Sequence, residues 1–75
     1  MTERERLLQC IYDHHARYNY GPSYRQLGEA IGASGSHARR CVLALAGTGL
    51  VGVARGQRNV WLTDAGIAAI REGEE

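Results

Sequence analysis

The sequence has no lysine, no phenylalanine, one proline, two cysteines and no long apolar run. No apolar stretch approaches the roughly 18 residues that a membrane-crossing helix requires, so a partner role for the membrane is not expected. The charged start, Thr2-Glu3-Arg4-Glu5-Arg6, lacks the shape of a secretory signal. Two cysteines are too few for the disulfide framework that usually holds so small a secreted domain. The expected setting is therefore the reducing cytoplasm, with Cys10 and Cys41 as free thiols on helical apolar positions. Without phenylalanine, the core falls to Leu, Ile, Val and Ala, four tyrosines and Trp61. No activated-nucleophile motif, paired carboxylates in a glycine-rich setting or phosphate-cradling loop occurs. The chain reads as a non-enzyme, with no catalytic residue, no cofactor and no metal.

What is present is a chain of 75 residues, enough for one domain over 1–75 and too short for two. A domain of this size buries only about 60% of its unfolded surface, so its core must be compact. The net charge of +1 hides an uneven distribution. Residues 1–24 are balanced. Residues 25–62 carry Arg25, Arg39, Arg40, Arg55 and Arg58 against Glu29 alone. The end carries Arg71 against Asp64, Glu72, Glu74 and Glu75. A basic centre with an acidic tail suits a surface that meets a polyanion, although a scattered solvated surface gives the same tally.

Thr2-x-x-Glu5 has the form of a capping box, in which hydroxyl and carboxylate each satisfy a free backbone N–H. Leu7, Leu8, Ile11, Tyr12, His15 and Tyr18 follow at spacings of three and four, which predicts an amphipathic helix to about Tyr18. Tyr20-Gly21-Pro22 is expected to end it. Ser23-x-x-Gln26 is a second capping box, heading a short helix with Leu27, Ala30 and Ile31 as its apolar set and Gly32 as its stop. The third helix starts at Ser34 or Ser36. Its buried stripe is Ala38, Cys41, Val42 and Leu45, and its opposite face holds Ser36, Arg39, Arg40 and Leu43, with His37 at the edge. Gly47 and Gly49 close it. Two β-rich runs, 50–55 and 58–62, flank Gly56-Gln57 and predict a hairpin. Thr63 or Asp64 then caps a last helix whose apolar residues are Ala65, Ile67, Ala68 and Ile70.

The fold class is mainly α with a small β-hairpin: a three-helix core, a β wing and a short C-terminal helix. Two short helices joined by a turn of about three residues form a helix-turn-helix unit, and the second of them, about 34–47, is the one that enters a major groove. Ser34, Ser36, His37, Arg39 and Arg40 can meet phosphate or base edges there, joined by Ser23 and Arg25 at the head of the preceding helix. The hairpin tip adds Arg55, Gln57, Arg58 and Asn59, able to lie on the backbone or in a minor groove.

Thr2-Glu3-Arg4, Gly21-Pro22-Ser23, Leu27-Gly28-Glu29-Ala30-Ile31-Gly32, Ala44-Leu45 and Gly49-Leu50-Val51 resemble the N-terminal DNA-binding domain of the LexA repressor family, from about Thr2 to Leu62. That resemblance implies a winged helix-turn-helix that represses promoters by binding double-stranded DNA, with Ser34, Ser36, His37, Arg39 and Arg40 on its base-reading segment. Arg39 and Arg40 stand where that family has acidic residues, so its operator does not transfer. Trp61-Leu62-Thr63-Asp64-Ala65-Gly66 is more similar to MarR-type regulators, in which Leu-Thr-x-x-Gly opens the helix after the wing.

Blander readings stand beside these. Arginines on a helix face are often just solvated, and many wings are only structural. A winged helix can instead serve as a protein-binding module, an adaptor or inhibitor of a nucleoprotein machine. Cys10 and His14, spaced i,i+4, and the trio His15, His37 and Cys41 raise a metal site, but Cys41 falls in the buried stripe. A homodimer is expected through the last helix, by Ile67 and Ile70, or on DNA. The same two residues could instead close a monomer core.

Overall fold

The computed structural model describes residues 2–54 and 60–73. The elements are α1 (Glu3–Tyr18), α2 (Tyr24–Ile31), α3 (Gly35–Gly47), β1 (Val51–Val53), β2 (Val60–Leu62) and α4 (Asp64–Gly73). The wing tip, with Arg55, Gln57, Arg58 and Asn59, lies outside the described residues.

Local chemistry explains the helix boundaries. Thr2 caps α1 by accepting from the Glu5 N–H at 3.2 Å. The Glu5 carboxylate then takes the Thr2 hydroxyl proton rather than a backbone N–H, so the expected box is only half made. At α2 the box is complete. Gln26 N–H donates to Ser23 Oγ at 3.1 Å and Ser23 N–H to Gln26 Oε1 at 2.9 Å. The end of α1 is set earlier than Tyr20-Gly21-Pro22. Asn19 takes the left-handed conformation at φ 64° and donates its N–H to the His15 carbonyl, a role asparagine tolerates better than most residues. His14 Nδ1 donates to the Tyr20 carbonyl at 2.9 Å, and the rings of Tyr18 and Tyr20 stack at 5.7 Å, which fixes the chain's exit.

The core is aliphatic. Leu7, Leu8 and Ile11 of α1 meet Leu27 of α2, Ala38, Val42 and Leu45 of α3, Val51 of β1 and Val60 of β2. Each fully buried Leu, Ile or Val stabilises the fold by about 1.5–3 kcal/mol. The aromatic contribution expected from composition is not made there. Tyr12, Tyr18, Tyr20 and Trp61 are between 42% and 48% exposed, and Tyr24 only borders the cluster. Rings with a polar tip sit well at such an apolar–wet margin.

The two strands pair antiparallel, with Gly52 opposite Trp61. A Cβ on Gly52 would collide with the indole, so glycine is what lets the ring lie across the ladder. His15 Nε2 donates to the Val60 carbonyl at 2.8 Å and ties α1 to the wing. Thr63 heads α4. Its Oγ1 accepts from Gly66 N–H at 3.2 Å and donates to the Gly49 carbonyl at 2.6 Å. On α4 the inward residues are Gly66, Ala69 and Ile70. Ala65 and Ala68, expected as apolar contacts, are exposed, because the helix begins a register that turns Gly66 onto the Leu50 carbonyl. No helix of the described residues is long and apolar enough to cross a membrane.

Candidate nucleic-acid interface

The start of α3 settles the choice between its two possible caps. Ser34 Oγ accepts from His37 N–H at 3.1 Å, so Gly35 opens the helix and Ser36 lies in its first turn. Ser36, Arg39, Arg40 and Leu43 are all exposed, at the spacings that place them on one face. Ala38, Val42 and Leu45 are buried on the other side.

The turn Gly32–Ser34 brings the heads of α2 and α3 together. A Cβ on Gly35 would stand 3.4 Å from the Arg25 nitrogen and 3.5 Å from the Tyr24 carbonyl carbon. Ser23, Arg25, Ser34 and Ser36 therefore lie at one end of the helix pair. Ser23 and Ser34 spend a lone pair on their caps. Each hydroxyl stands at a helix N-terminus, where the helix dipole favours anions. Arg25 reaches Glu29 at 3.6 Å, with both side chains largely exposed. Such a pair is worth about 0–1 kcal/mol and yields readily to a phosphate. Among the described residues, Arg25 is the arginine paired with a carboxylate, that of Glu29, while His37 is within hydrogen-bond distance of Glu3. Arg39 and Arg40 have no acidic partner there.

His37 and Cys41 do not behave as the sequence suggests. The ring of His37 turns toward α1 and its Nε2–H donates to Glu3 Oε1 at 2.8 Å. Cys41, expected inside the buried stripe, is half-buried. Its thiol donates to the same carboxylate oxygen at 3.1 Å and lies 3.5 Å from His37 Nε2. The helix is rotated so that Ala38, Val42 and Leu45 hold the centre and Cys41 reaches the α1 boundary. Hydrogen bonds from Cys41 and His37 hold the Glu3 carboxyl below the usual carboxylate range. The Glu3 bond, followed by burial, pushes the Cys41 thiol up. At Cys10, burial is the main cause of an upward shift, with Asp13 adding to it. Glu3 stands in the sequence only as part of Thr2-Glu3-Arg4, which gives no sign of a tie to α3. Only the spacing of His37 and Cys41, one helical turn apart, could have pointed to the trio.

A scan against protein families finds no match, and a search of curated proteins finds none. Among solved structures the chain is similar to a mutant of S. aureus MepR, with a TM-score of 0.75 and 19% identity over 96% of this chain and 54% of that one. It is likewise similar to S. aureus MepR bound to ethidium bromide, with a TM-score of 0.71 and 20% identity over 95% and 52%. The chain thus spans about half the length of the solved chains it matches. The LexA-like assignment rests on sequence motifs alone, whereas these likenesses and the element order give the fold: four helices with a two-stranded antiparallel hairpin, a winged helix.

Proposed function

We propose that residues 1–75 act as one cytoplasmic domain that binds double-stranded DNA sequence-specifically and represses transcription, without catalysis. The carrying observation is the exposed row Ser36, Arg39 and Arg40 on α3, unpaired by acids among the described residues, beside the joined N-termini of α2 and α3. An α-helix fits a major groove about 12 Å wide. In this reading Arg39 and Arg40 face base edges, with His37 at the margin of the row. Ser23, Arg25 and Ser34 hold phosphate, and the wing residues Arg55, Gln57, Arg58 and Asn59 meet the backbone or the minor groove.

One recognition helix spans too few base pairs to specify a promoter, so two copies would bind half-sites about 34 Å apart, or a multiple of it. Ala69 and Ile70 already rest on the core, which favours pairing on DNA over a preformed α4 interface. Selection of bound sequences from a random duplex library tests the reading. An enriched motif is expected, bound with a log–log salt slope of roughly −3 to −5 per protomer for five central arginines. Absence of enrichment, or binding indifferent to salt, overturns it. That outcome would favour a protein-binding module, for which the exposed Leu43 on the same face is the natural anchor.

A further inference from the structure

Glu3, His37 and Cys41 form, among the described residues, the one group of three or more potential metal donors gathered at a point. The donors come from two elements. His37 and Cys41 lie one turn apart on α3, and Glu3 lies in the first turn of α1. The donor separations are 2.8 Å for His37 Nε2 to Glu3 Oε1, 3.1 Å for Cys41 Sγ to Glu3 Oε1 and 3.5 Å for Cys41 Sγ to His37 Nε2.

We propose that this trio is a binding site for a divalent cation of the zinc class, held by the Cys41 thiolate, the His37 imidazole Nε2 and the Glu3 carboxylate.

Zinc takes sulfur at about 2.3 Å, imidazole nitrogen at about 2.0–2.1 Å and carboxylate oxygen at about 2.0–2.2 Å, so a tetrahedral ion spaces such donors about 3.4–3.6 Å apart. The Cys41–His37 separation already matches. The two separations from Glu3 are about half an ångström shorter than that spacing, as expected where a proton rather than an ion bridges the atoms. Loading displaces those protons: the Cys41 thiol loses its proton to solvent, and His37 binds as neutral imidazole through Nε2 with its ring proton carried on Nδ1. Glu3 turns from acceptor of two hydrogen bonds into a ligand. Its side chain is exposed and needs to retreat only slightly.

A thiolate, an imidazole and one carboxylate form a borderline-soft set, which suits zinc or cobalt over magnesium or calcium. Three protein ligands leave the fourth position to water. Cys10 and His14 share the i,i+4 spacing, but His14 Nδ1 is committed to the Tyr20 carbonyl and no third donor joins them among the described residues.

The site ties α1 to a residue 34 positions along the chain, and its test needs no DNA, so its failure is distinct from that of the DNA-binding reading. Cobalt(II) is titrated into the untagged, reduced chain under anaerobic conditions. A thiolate-to-cobalt absorption band should appear, saturate at one equivalent and vanish on addition of zinc. Zinc at about a hundred times its dissociation constant should raise the melting temperature by about 10–20 °C. Cys41→Ser should abolish the band. His37→Ala and Glu3→Gln should weaken binding by more than about tenfold, and Cys10→Ser should change nothing. Because Glu3 is exposed, Glu3→Gln carries the test if Cys41→Ser does not fold. No band in the unaltered chain, or a band that survives Cys41→Ser, overturns the proposal. So does affinity unchanged by Glu3→Gln.

Discussion

Gly28 lies so close to Ser34 that a Cβ on Gly28 would stand 2.7 Å from both the carbonyl carbon and the carbonyl oxygen of Ser34. Real side chains do not approach backbone this tightly, and the neighbour is rigid, since Ser34 also caps α3. The missing methyl therefore sets the distance at which the turn passes α2. Ala in place of Gly in a helix interior is ordinarily favourable by about 1 kcal/mol. Here the clash decides. Gly28→Ala should destabilise the fold by about 1–3 kcal/mol, read as a lower urea midpoint at unchanged slope. An unchanged or higher midpoint would show that the turn can shift at no cost.

Beside the apolar packing of α1 on Val51 and Val60, a hydrogen bond from α1 ties down the wing. His15 Nε2 donates to the Val60 carbonyl at 2.8 Å, across 45 residues of sequence. His15→Ala leaves a partly buried acceptor without its donor and should cost about 1–2 kcal/mol. His15→Gln, which keeps an N–H of similar reach, should restore part of the loss. Equal destabilisation by both variants would mean that packing of the ring, not the hydrogen bond, matters.

Much of the backbone is legible in the sequence because caps are local. Ser23-x-x-Gln26 and Gly32 bracket α2 without reference to anything distant. What fails is what depends on tertiary rotation. The α3 periodicity admits Cys41 to the buried stripe, yet a small shift in helix orientation sends it to Glu3. Composition assigns the tyrosines to the core, yet the buried cluster is wholly aliphatic and the rings lie at its margin or outside it. On the candidate interface the α3 row is legible, whereas the withdrawal of the His37 ring toward Glu3 is not, because Glu3 is 34 residues away.

The segment Leu62-Thr63-Asp64-Ala65-Gly66 joins the wing to α4. Thr63 joins α4 to the Gly49 carbonyl, and Gly66 passes the Leu50 carbonyl where a Cβ would overlap it. Thr63→Val removes a cap and a cross-link, with an expected cost of about 1–2 kcal/mol. Gly66→Ala should cost as much or more through overpacking, about 1–3 kcal/mol. Thermal melts of the two single variants and the double variant decide whether they act together. Because both residues fix the same junction, the double variant should lose less than the sum. Strict additivity would place the two effects in separate parts of the fold.

Arg39 and Arg58 should fail in different ways on DNA. Arg39 is exposed on α3, in the row with Ser36 and Arg40, one turn in from the capped start. An arginine so placed can take both acceptors of a guanine edge, worth about 1–3 kcal/mol of discrimination against another base. Arg58 belongs to the hairpin tip by sequence and is assigned to phosphate or sugar, where a contact orients the protein but carries no base information. Arg39→Ala should therefore reduce affinity for the selected motif far more than for random duplex, and narrow the gap between them. Arg58→Ala should weaken both about equally and make the salt slope shallower by about one. Competition binding at two salt concentrations, with selected and random duplexes, separates the cases. If Arg39→Ala weakens both duplexes alike, the base-reading role passes to Arg40, and the same measurement on Arg40→Ala must then show the loss of preference. Should neither variant change the preference, α3 does not read bases, and the major-groove assignment fails with it.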